Sequence, residues 1–381
     1  MPSASSSVTQ RIEGHILTPK GFVLGSLEHW QGRIRGIEGM AVTLQAVRDE
    51  ADAIVLPGFI DLHVHGGGGH DVMDGGDAAV HIARTHARHG TTAMLATTLT
   101  APLLDLRRTM AALGQRARAR AHQAARILGV HLEGPFINPD KLGAQPDFAI
   151  PASLHDILML HELAPIRVIT LAPEMDGHLE LIPTLRQAGF HVQIGHSTGS
   201  YEQGVAALRH GASGFTHLFN AMSGLQHRAP GMVGAALAHA RYAEIIPDLL
   251  HVHPGAIRAA LRAIPCLYCV TDSTSATGMP DGQYQLGSQR VTKCMNGVRL
   301  ADGTLAGSTL TMNEALRNLI ELGLDLEDVS HRVSTHAADY LGLNDRGRLK
   351  VGAFADLVVL DRDLTLRRVI VEGEEIDLAD V

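Results

Sequence analysis

Short apolar runs alternate along the chain with longer segments in which apolar residues recur every three to four positions. Eight of the runs read as strands: Ile54 to Val64, Thr91 to Thr98, Ile127 to Glu133, Arg167 to Ala172, His191 to His196, Gly214 to His217, Ala243 to Pro247 and Cys266 to Asp272. The segments between them read as amphipathic helices, among them Ala78 to His89, Leu103 to Ala125, Leu179 to Ala188, Tyr201 to His210 and Ala256 to Ala263. Several stop at a glycine (Gly90, Gly189, Gly211), the residue that tolerates the left-handed turn at a helix end. Repeated strand–helix units imply a parallel sheet, and eight of them predict an α/β fold of the (β/α)8 TIM-like barrel type. A doubly wound sheet is the competing architecture, but no G-x-G-x-x-G follows the first strand.

The two ends have a different texture. Residues 8–53 carry short β-like pieces separated by turns, and Gly352 to Asp361 followed by Leu366 to Glu372 repeats that pattern. A small β-sandwich domain built from both termini is expected, with residues 1–56 and 348–381 on either side of a catalytic barrel over 57–347.

Composition narrows the function classes. The 381 residues are 45% hydrophobic and 19% charged, as in ordinary globular proteins. A formal net charge of −8 argues against a general nucleic-acid binder, and no stretch reads as a membrane span. Three cysteines (Cys266, Cys269, Cys294) are too few for a disulfide framework and fit a reducing cytoplasm; they read as packing residues. The first residues lack the basic segment and apolar core of a secretory signal.

The chemistry sits where strands end. His63 and His65 close the first run, and residues i and i+2 of a strand share a face, so their rings project together beside Gly66 to Gly69. A lone His-x-His is often two surface histidines, and the chain has 23 histidines. Other strand ends supply Glu133, His196, His217 and Asp272, while His131 lies deeper in its strand. Each has an ordinary explanation of its own: a salt bridge, a satisfied core histidine, a helix cap. Four histidines and two carboxylates on five strands of one barrel point instead to a divalent metal centre on the rim. Imidazole and carboxylate donors suit Zn²⁺ or Fe²⁺, and such an ion acidifies water. Asp272 is the expected acid/base, and no serine or cysteine nucleophile is expected.

These residues lie in Pro57-Gly-Phe-Ile-Asp-Leu-His-Val-His-Gly66, His131-Leu-Glu-Gly-Pro-Phe136, Gly195-His-Ser-Thr198, Thr216-His-Leu-Phe-Asn-Ala-Met222 and Val270-Thr-Asp272. Together with Gly347 to Leu357, they resemble the amidohydrolase superfamily, and within it the N-acetylglucosamine-6-phosphate deacetylase family, over nearly the whole chain. The resemblance implies Glu133, His196 and His217 as principal metal ligands, and His63 and His65 as a second-metal pair kept by some members. It implies one or two ions per subunit, with Zn²⁺ the first expectation and Fe²⁺ the alternative. Asn220, Ala221, Arg228 and His251 match residues that hold a sugar phosphate, with Asp248 in the same segment. Leu305, Ala306 and Gly307 match a loop that closes over substrate, and a homodimer is implied. Arg228 also suits phosphate by its guanidinium geometry.

One position departs from the family pattern. Where many members carry a histidine, Lys141-Leu-Gly-Ala144-Gln145 supplies an amide that donates a hydrogen bond but carries no charge. The implied reaction is removal of acetate from N-acetyl-D-glucosamine 6-phosphate in amino-sugar catabolism, with N-acetylgalactosamine 6-phosphate or another N-acyl amino-sugar phosphate as the alternative. Two more distant readings are an amidohydrolase acting on a cyclic amide or purine amine, and a non-catalytic sugar-phosphate sensor. The first often carries a bridging lysine where this chain has Glu133; the intact ligand set and Asp272 disfavour the second.

Overall fold

The computed structural model describes residues 9–295 and 297–379. Six parallel strands form one curved sheet in chain order: Phe59–Val64, Thr91–Thr97, Arg126–Glu133, Ile166–Leu171, His191–Ile194 and Gly214–Phe215. Tyr242–Ile245 and Cys266–Cys269 add a parallel pair. Backbone bonds at the strand ends link the two sheets. Leu218 N donates to Glu244 O at 2.9 Å, and Asp272 N donates to His63 O at 2.9 Å. The expected eight-stranded barrel therefore closes, with strand eight beside strand one.

The expected helices appear with shifted ends, and the largest shift is at Leu103–Arg118, which stops at an extended Ala119 rather than running to Ala125. Helices at Leu154–Leu163, Gly231–His239 and Met312–Glu321 were not anticipated. Gly231–His239 shows why: it is apolar on almost every face and packs inside the protein, so no polar stripe marks its period.

The first run, Ile54 to Val64, is two strands rather than one. Ile54–Pro57 belongs to the terminal sheet, pairing with Leu357–Leu360 and with His15–Ile16. Phe59–Val64 belongs to the barrel. The chain changes partners at Gly58, where a Cβ would lie 2.2 Å from Thr92 Cγ2. The terminal domain is a seven-stranded sheet with strands drawn from both ends of the chain, in the order Glu374–Glu375, Leu366–Val371, Leu357–Leu360, Ile54–Pro57, Gln10–Thr18, Gly21–Trp30, Arg33–Ala41. It has its own core, including Ile12, Ile16, Leu27, Ile34, Val55, Leu357 and Ile370, each side chain contributing about 1.5–3 kcal/mol by burial. An ion-pair network ties this sheet to the base of the barrel. Arg126, the first residue of strand three, grips Glu372 through two bonds of 2.8 and 2.9 Å, and Arg346 bridges Asp356 and Glu372.

A three-stranded antiparallel sheet (Gly282–Leu286, Gln289–Cys294, Gly297–Arg299), also not anticipated, follows strand eight and packs Leu286, Val291 and Val298 with Leu99 and Ala306. It overhangs the C-terminal rim of the barrel. Of the cysteines, only Cys269 is a fully buried packing residue; Cys266 is partly exposed and Cys294 exposed.

Candidate metal centre

The rim side chains predicted from strand ends converge. His196 Nε2 and His217 Nε2 lie 3.1 Å apart, and Glu133 Oε1 is 3.3 and 3.0 Å from them. On the other side, His63 Nε2 and His65 Nε2 are 3.1 Å apart. Glu133 Oε2 lies 3.5 and 3.1 Å from them, and Asp272 Oδ1 lies 3.5 and 3.2 Å away. Two donor groups, Glu133/His196/His217 and His63/His65/Asp272, thus meet at one carboxylate that offers one oxygen to each.

The backbone aims these groups. His196, His217 and Asp272 adopt left-handed φ values of 48°, 28° and 49°, uncommon for residues with a side chain. Each breaks the extended backbone within three residues of the end of its strand. At Asp272 the turn is held from both sides: its N–H donates to His63 O, and its carbonyl accepts from Ser308 N at 2.7 Å. Asp61, buried beneath, accepts from Thr271 Oγ1 at 2.6 Å and locks strand one to strand eight. Burial pushes its carboxyl up to about 7, against the hydrogen bond from Thr271.

The donor chemistry fits a divalent cation. His65 Nδ1 faces Thr97 O at 3.1 Å and His196 Nδ1 faces Lys141 O at 2.8 Å. A carbonyl only accepts, so both Nδ1 atoms carry hydrogen, and in the neutral ring that binds a metal both Nε2 atoms present lone pairs. His63 Nδ1 faces Glu244 Oε2 at 2.9 Å, with the same consequence. With both rings neutral, the 3.1 Å approach of His63 Nε2 to His65 Nε2 sets lone pair against lone pair, an arrangement that a shared cation relieves. Without a cation, burial disfavours charge on both rings, but the carboxylates of Glu133 and Asp272 outweigh it and raise the pKa of both. Burial penalises charge on Glu133, but the histidines around it outweigh that and hold it well below the usual carboxylate range. Asp272 is likewise held low, burial being outweighed by His63 and His65.

Above the centre lies a cavity of about 400 Å³. Its wall contains Ala144, Gln145, Asn220, Ala221, His251, Leu305 and Gly307 from the expected substrate set, with Lys141, Asp140 and Thr304 besides. Asp248 stands behind the wall: its Oδ2 is 2.6 Å from His251 Nδ1. That carboxylate raises the His251 pKa against the effect of burial. Ala306 is buried in the core under the three-stranded sheet. Arg228 is exposed on the 223–230 loop and is not part of the wall. Gln145 is buried and engaged, its Nε2 donating to Glu133 Oε2 at 2.6 Å and its Oε1 accepting from Thr100 N at 2.7 Å.

Several residues were not singled out beforehand. Glu244 lies within strand seven, one residue before its end, and touches both donor groups; the signal is a glutamate inside the apolar run Tyr242-Ala-Glu-Ile-Ile246. Glu174 holds the turn after His196, accepting from Ser197 Oγ at 2.6 Å and Thr198 N at 2.7 Å. Gly195-His-Ser-Thr-Gly199 does have the G-x-S-x-G spacing of a nucleophile elbow. Ser197, however, is fully buried with its hydroxyl committed to Glu174, so no serine nucleophile results.

Fold and site together define a barrel hydrolase built around a metal centre, and the chain belongs to the Amidohydrolase family, whose profile matches residues 54–376. The family is metal-dependent. Among curated relatives, the chain is 39% identical over 353 residues to the N-acetylgalactosamine-6-phosphate deacetylase of Escherichia coli O157:H7, covering 90% of this chain and 92% of that protein. It is 40% identical over 341 residues to the N-acetylglucosamine-6-phosphate deacetylase of Vibrio furnissii, covering 85% and 84%. Among solved structures, a mutant N-acetyl-D-glucosamine-6-phosphate deacetylase from Mycobacterium smegmatis in complex with N-acetyl-D-glucosamine-6-phosphate superposes with a TM-score of 0.89 at 33% identity, over 97% of this chain and 100% of that one.

Proposed function

We propose that this protein removes the acetyl group of N-acetyl-D-glucosamine 6-phosphate, giving the free amine and acetate. The observation that carries the reading is the pair of donor groups joined through Glu133 at the floor of a cavity of sugar-phosphate size. Relatives named for this activity, at 38–40% identity over 84–86% of the chain, support it.

Glu133, His196 and His217 would hold one ion, and His63, His65 and Asp272, with the second Glu133 oxygen, another; Zn²⁺ is the first candidate and Fe²⁺ the alternative. When bound, such an ion supplies Lewis acidity toward water and the amide carbonyl. Asp272, kept ionised, accepts the proton released by the attacking water and returns it to the departing amine. The second amide N–H of Gln145, left over after its bond to Glu133, is the donor available to the substrate carbonyl. His251, held by Asp248, joins Asn220, Ala221 and Arg228 as the phosphate anchor, so binding energy remote from the amide positions it. From its exposed loop, Arg228 would take this role through movement of residues 223–230 or at an interface between two copies. Leu305, Ala306 and Gly307 would form the covering edge. A homodimer in the cytoplasm is the proposed state; among the described residues, no helix is long and apolar enough to cross a membrane.

The galacto epimer is a second reading, because the E. coli relative at 39% identity carries that name. Acetate release measured on both 6-phosphates, with metal-loaded protein, tests both. A higher kcat/KM on the gluco epimer is expected. A preference for the galacto epimer would transfer the assignment, and ligand binding with no acetate from either would leave a sensor.

A further inference from the structure

Glu244 lies outside every ligand assignment made above, yet it touches both halves of the centre. It is the penultimate residue of strand seven and is fully buried. One oxygen, Oε2, takes two donors: His63 Nδ1–H at 2.9 Å and the backbone N–H of His217 at 3.1 Å. The other, Oε1, faces the hydroxyl of Tyr268 at 3.4 Å, and that hydroxyl accepts from Gln193 Nε2 at 2.7 Å. Gln193 Oε1 in turn accepts from Thr216 Oγ1 at 2.8 Å, next to His217 in sequence. Strands five to eight are thereby joined under the centre by buried polar side chains, and Glu244 is the member that reaches up to strand one.

We infer that Glu244 is a positioning residue that fixes the tautomer and ring orientation of His63 and sets the spacing between the two ion-binding groups. The inference deepens the proposed function and rests on its metal centre, not on the identity of the sugar. Its reason is the asymmetry of the contacts. Glu244 holds the ring of His63 directly, so without it Nδ1–H has no acceptor, the ring is free to change tautomer, and Nε2 no longer has to present its lone pair. At His217 it holds only the backbone, while the ring keeps its neighbours His196 and Glu133. Glu244 does not act as a ligand through the His63/His131 cluster, because His131 Nδ1 is committed to Leu62 O at 3.1 Å.

The test is stepwise Co²⁺ titration of the full-length apoprotein, followed by visible absorption and competing chelator, for wild type, Glu244→Ala and Glu244→Gln. Loss of an outer-shell partner of a ligating histidine lowers metal affinity about 10–100-fold. Glu244→Ala is therefore expected to weaken one of the two binding steps by that factor and the other by less, changing their ratio. Glu244→Gln, whose amide oxygen still accepts from His63 Nδ1–H, is expected to recover part of the loss. A merely structural role would lower thermal stability while leaving the ratio of the two constants unchanged, and that result overturns the inference. Should the alanine variant not fold, Glu244→Met, of similar length but with no oxygen to accept from His63 Nδ1–H, decides: a ratio within about twofold of wild type overturns the inference, a larger change supports it. Wild-type protein that binds two ions but releases no acetate from either sugar phosphate would refute the proposed function and leave this comparison intact.

Discussion

Replacing Asp272 by asparagine tests the proposed chemistry at one atom. The side chain keeps its shape, and the left-handed backbone turn is held by Asp272 N–H to His63 O and Ser308 N–H to Asp272 O, neither of which involves the carboxylate. What disappears is a base: Oδ1, now 3.2 Å from His65 Nε2 and 3.5 Å from His63 Nε2, becomes part of an amide that cannot take a proton. A positioned general acid/base contributes about 10²–10⁴-fold, or about 2.7–5.5 kcal/mol of barrier. Because Asp272 is also a proposed ligand, the comparison is made at equal metal content; Asp272→Asn should then lower kcat by that factor, with substrate affinity within about threefold, because cavity shape and phosphate contacts are kept. The pH profile adds a sign. Against burial, His63 and His65 hold Asp272 below its ordinary range, and a cation bound to those rings would act in the same direction, so the base form is present at neutral pH and wild-type activity should fall as pH drops through that lowered pKa. In the variant this acidic limb should vanish. The assay is acetate release across pH, with substrate binding to the variant measured by calorimetry. A variant that keeps more than about a tenth of wild-type kcat, or an unchanged acidic limb, refutes the role of Asp272.

Chelation to a metal-free state should abolish acetate release, and restoring a divalent ion should recover it; full activity in verified apoprotein would end the metal reading. Gln145→Ala removes the donor to Glu133 Oε2 and strands Thr100 N–H, so it should cost about 1–3 kcal/mol for the unpaired amide and lower kcat several-fold; unchanged kinetics would remove Gln145 from the mechanism. Glu372, gripped by Arg126 and Arg346 against the opposing effect of burial, is lowered from its ordinary 4.5 to about 2. Its contribution, on the order of 3 kcal/mol, is present above pH 4.5 and lost as pH falls toward 2, so Glu372→Gln should lower the urea midpoint at pH 7 and hardly at all near pH 2. Equal losses at both pH values would refute that ion-pair account.

The site was more legible in the sequence than the fold around it, for a physical reason. A barrel delivers its strand ends to one rim, so residues chosen only for lying at strand ends had to meet if the strand list was right. His63, His65, Glu133, His196, His217 and Asp272 do meet. Periodicity carries no information about what stands behind a ligand. Glu244 lies in an apolar run that reads as any buried strand, and its role appears only when strand seven is set beside strands one and six. Arg228 shows the converse limit. Its residue type and the motif suggested a phosphate contact, but a loop residue's position depends on what packs over it, and in the single chain it faces solvent. Helix Gly231–His239 and the three-stranded sheet at 282–299 escaped because the one lacks a polar face and the other lies outside the strand–helix repeat.

The division of Ile54 to Val64 at Gly58 bears on the centre itself. Ile54–Pro57 is clamped between Leu357–Leu360 and His15–Ile16, and only Gly58 separates it from the strand that carries His63 and His65. Gly58 N–H donates to Asp356 O at 3.0 Å, while Phe59 N–H donates to Gly90 O at 3.0 Å, so the change of partners is fixed on both sides of the junction. Asp356 is also bound by Arg346, which reaches Glu372 and through it Arg126 at the base of the Glu133 strand. The terminal sheet is thereby tied to the two strands whose far ends place His63, His65 and Glu133. A strand is stiff along its axis, so a shift of this sheet would move the registers of strands one and three, and with them the 3.1 Å approach of His65 to Glu133. On this view the terminal domain contributes, among the described residues, no group to the cavity, yet it fixes the distance across which Glu133 joins the two donor groups.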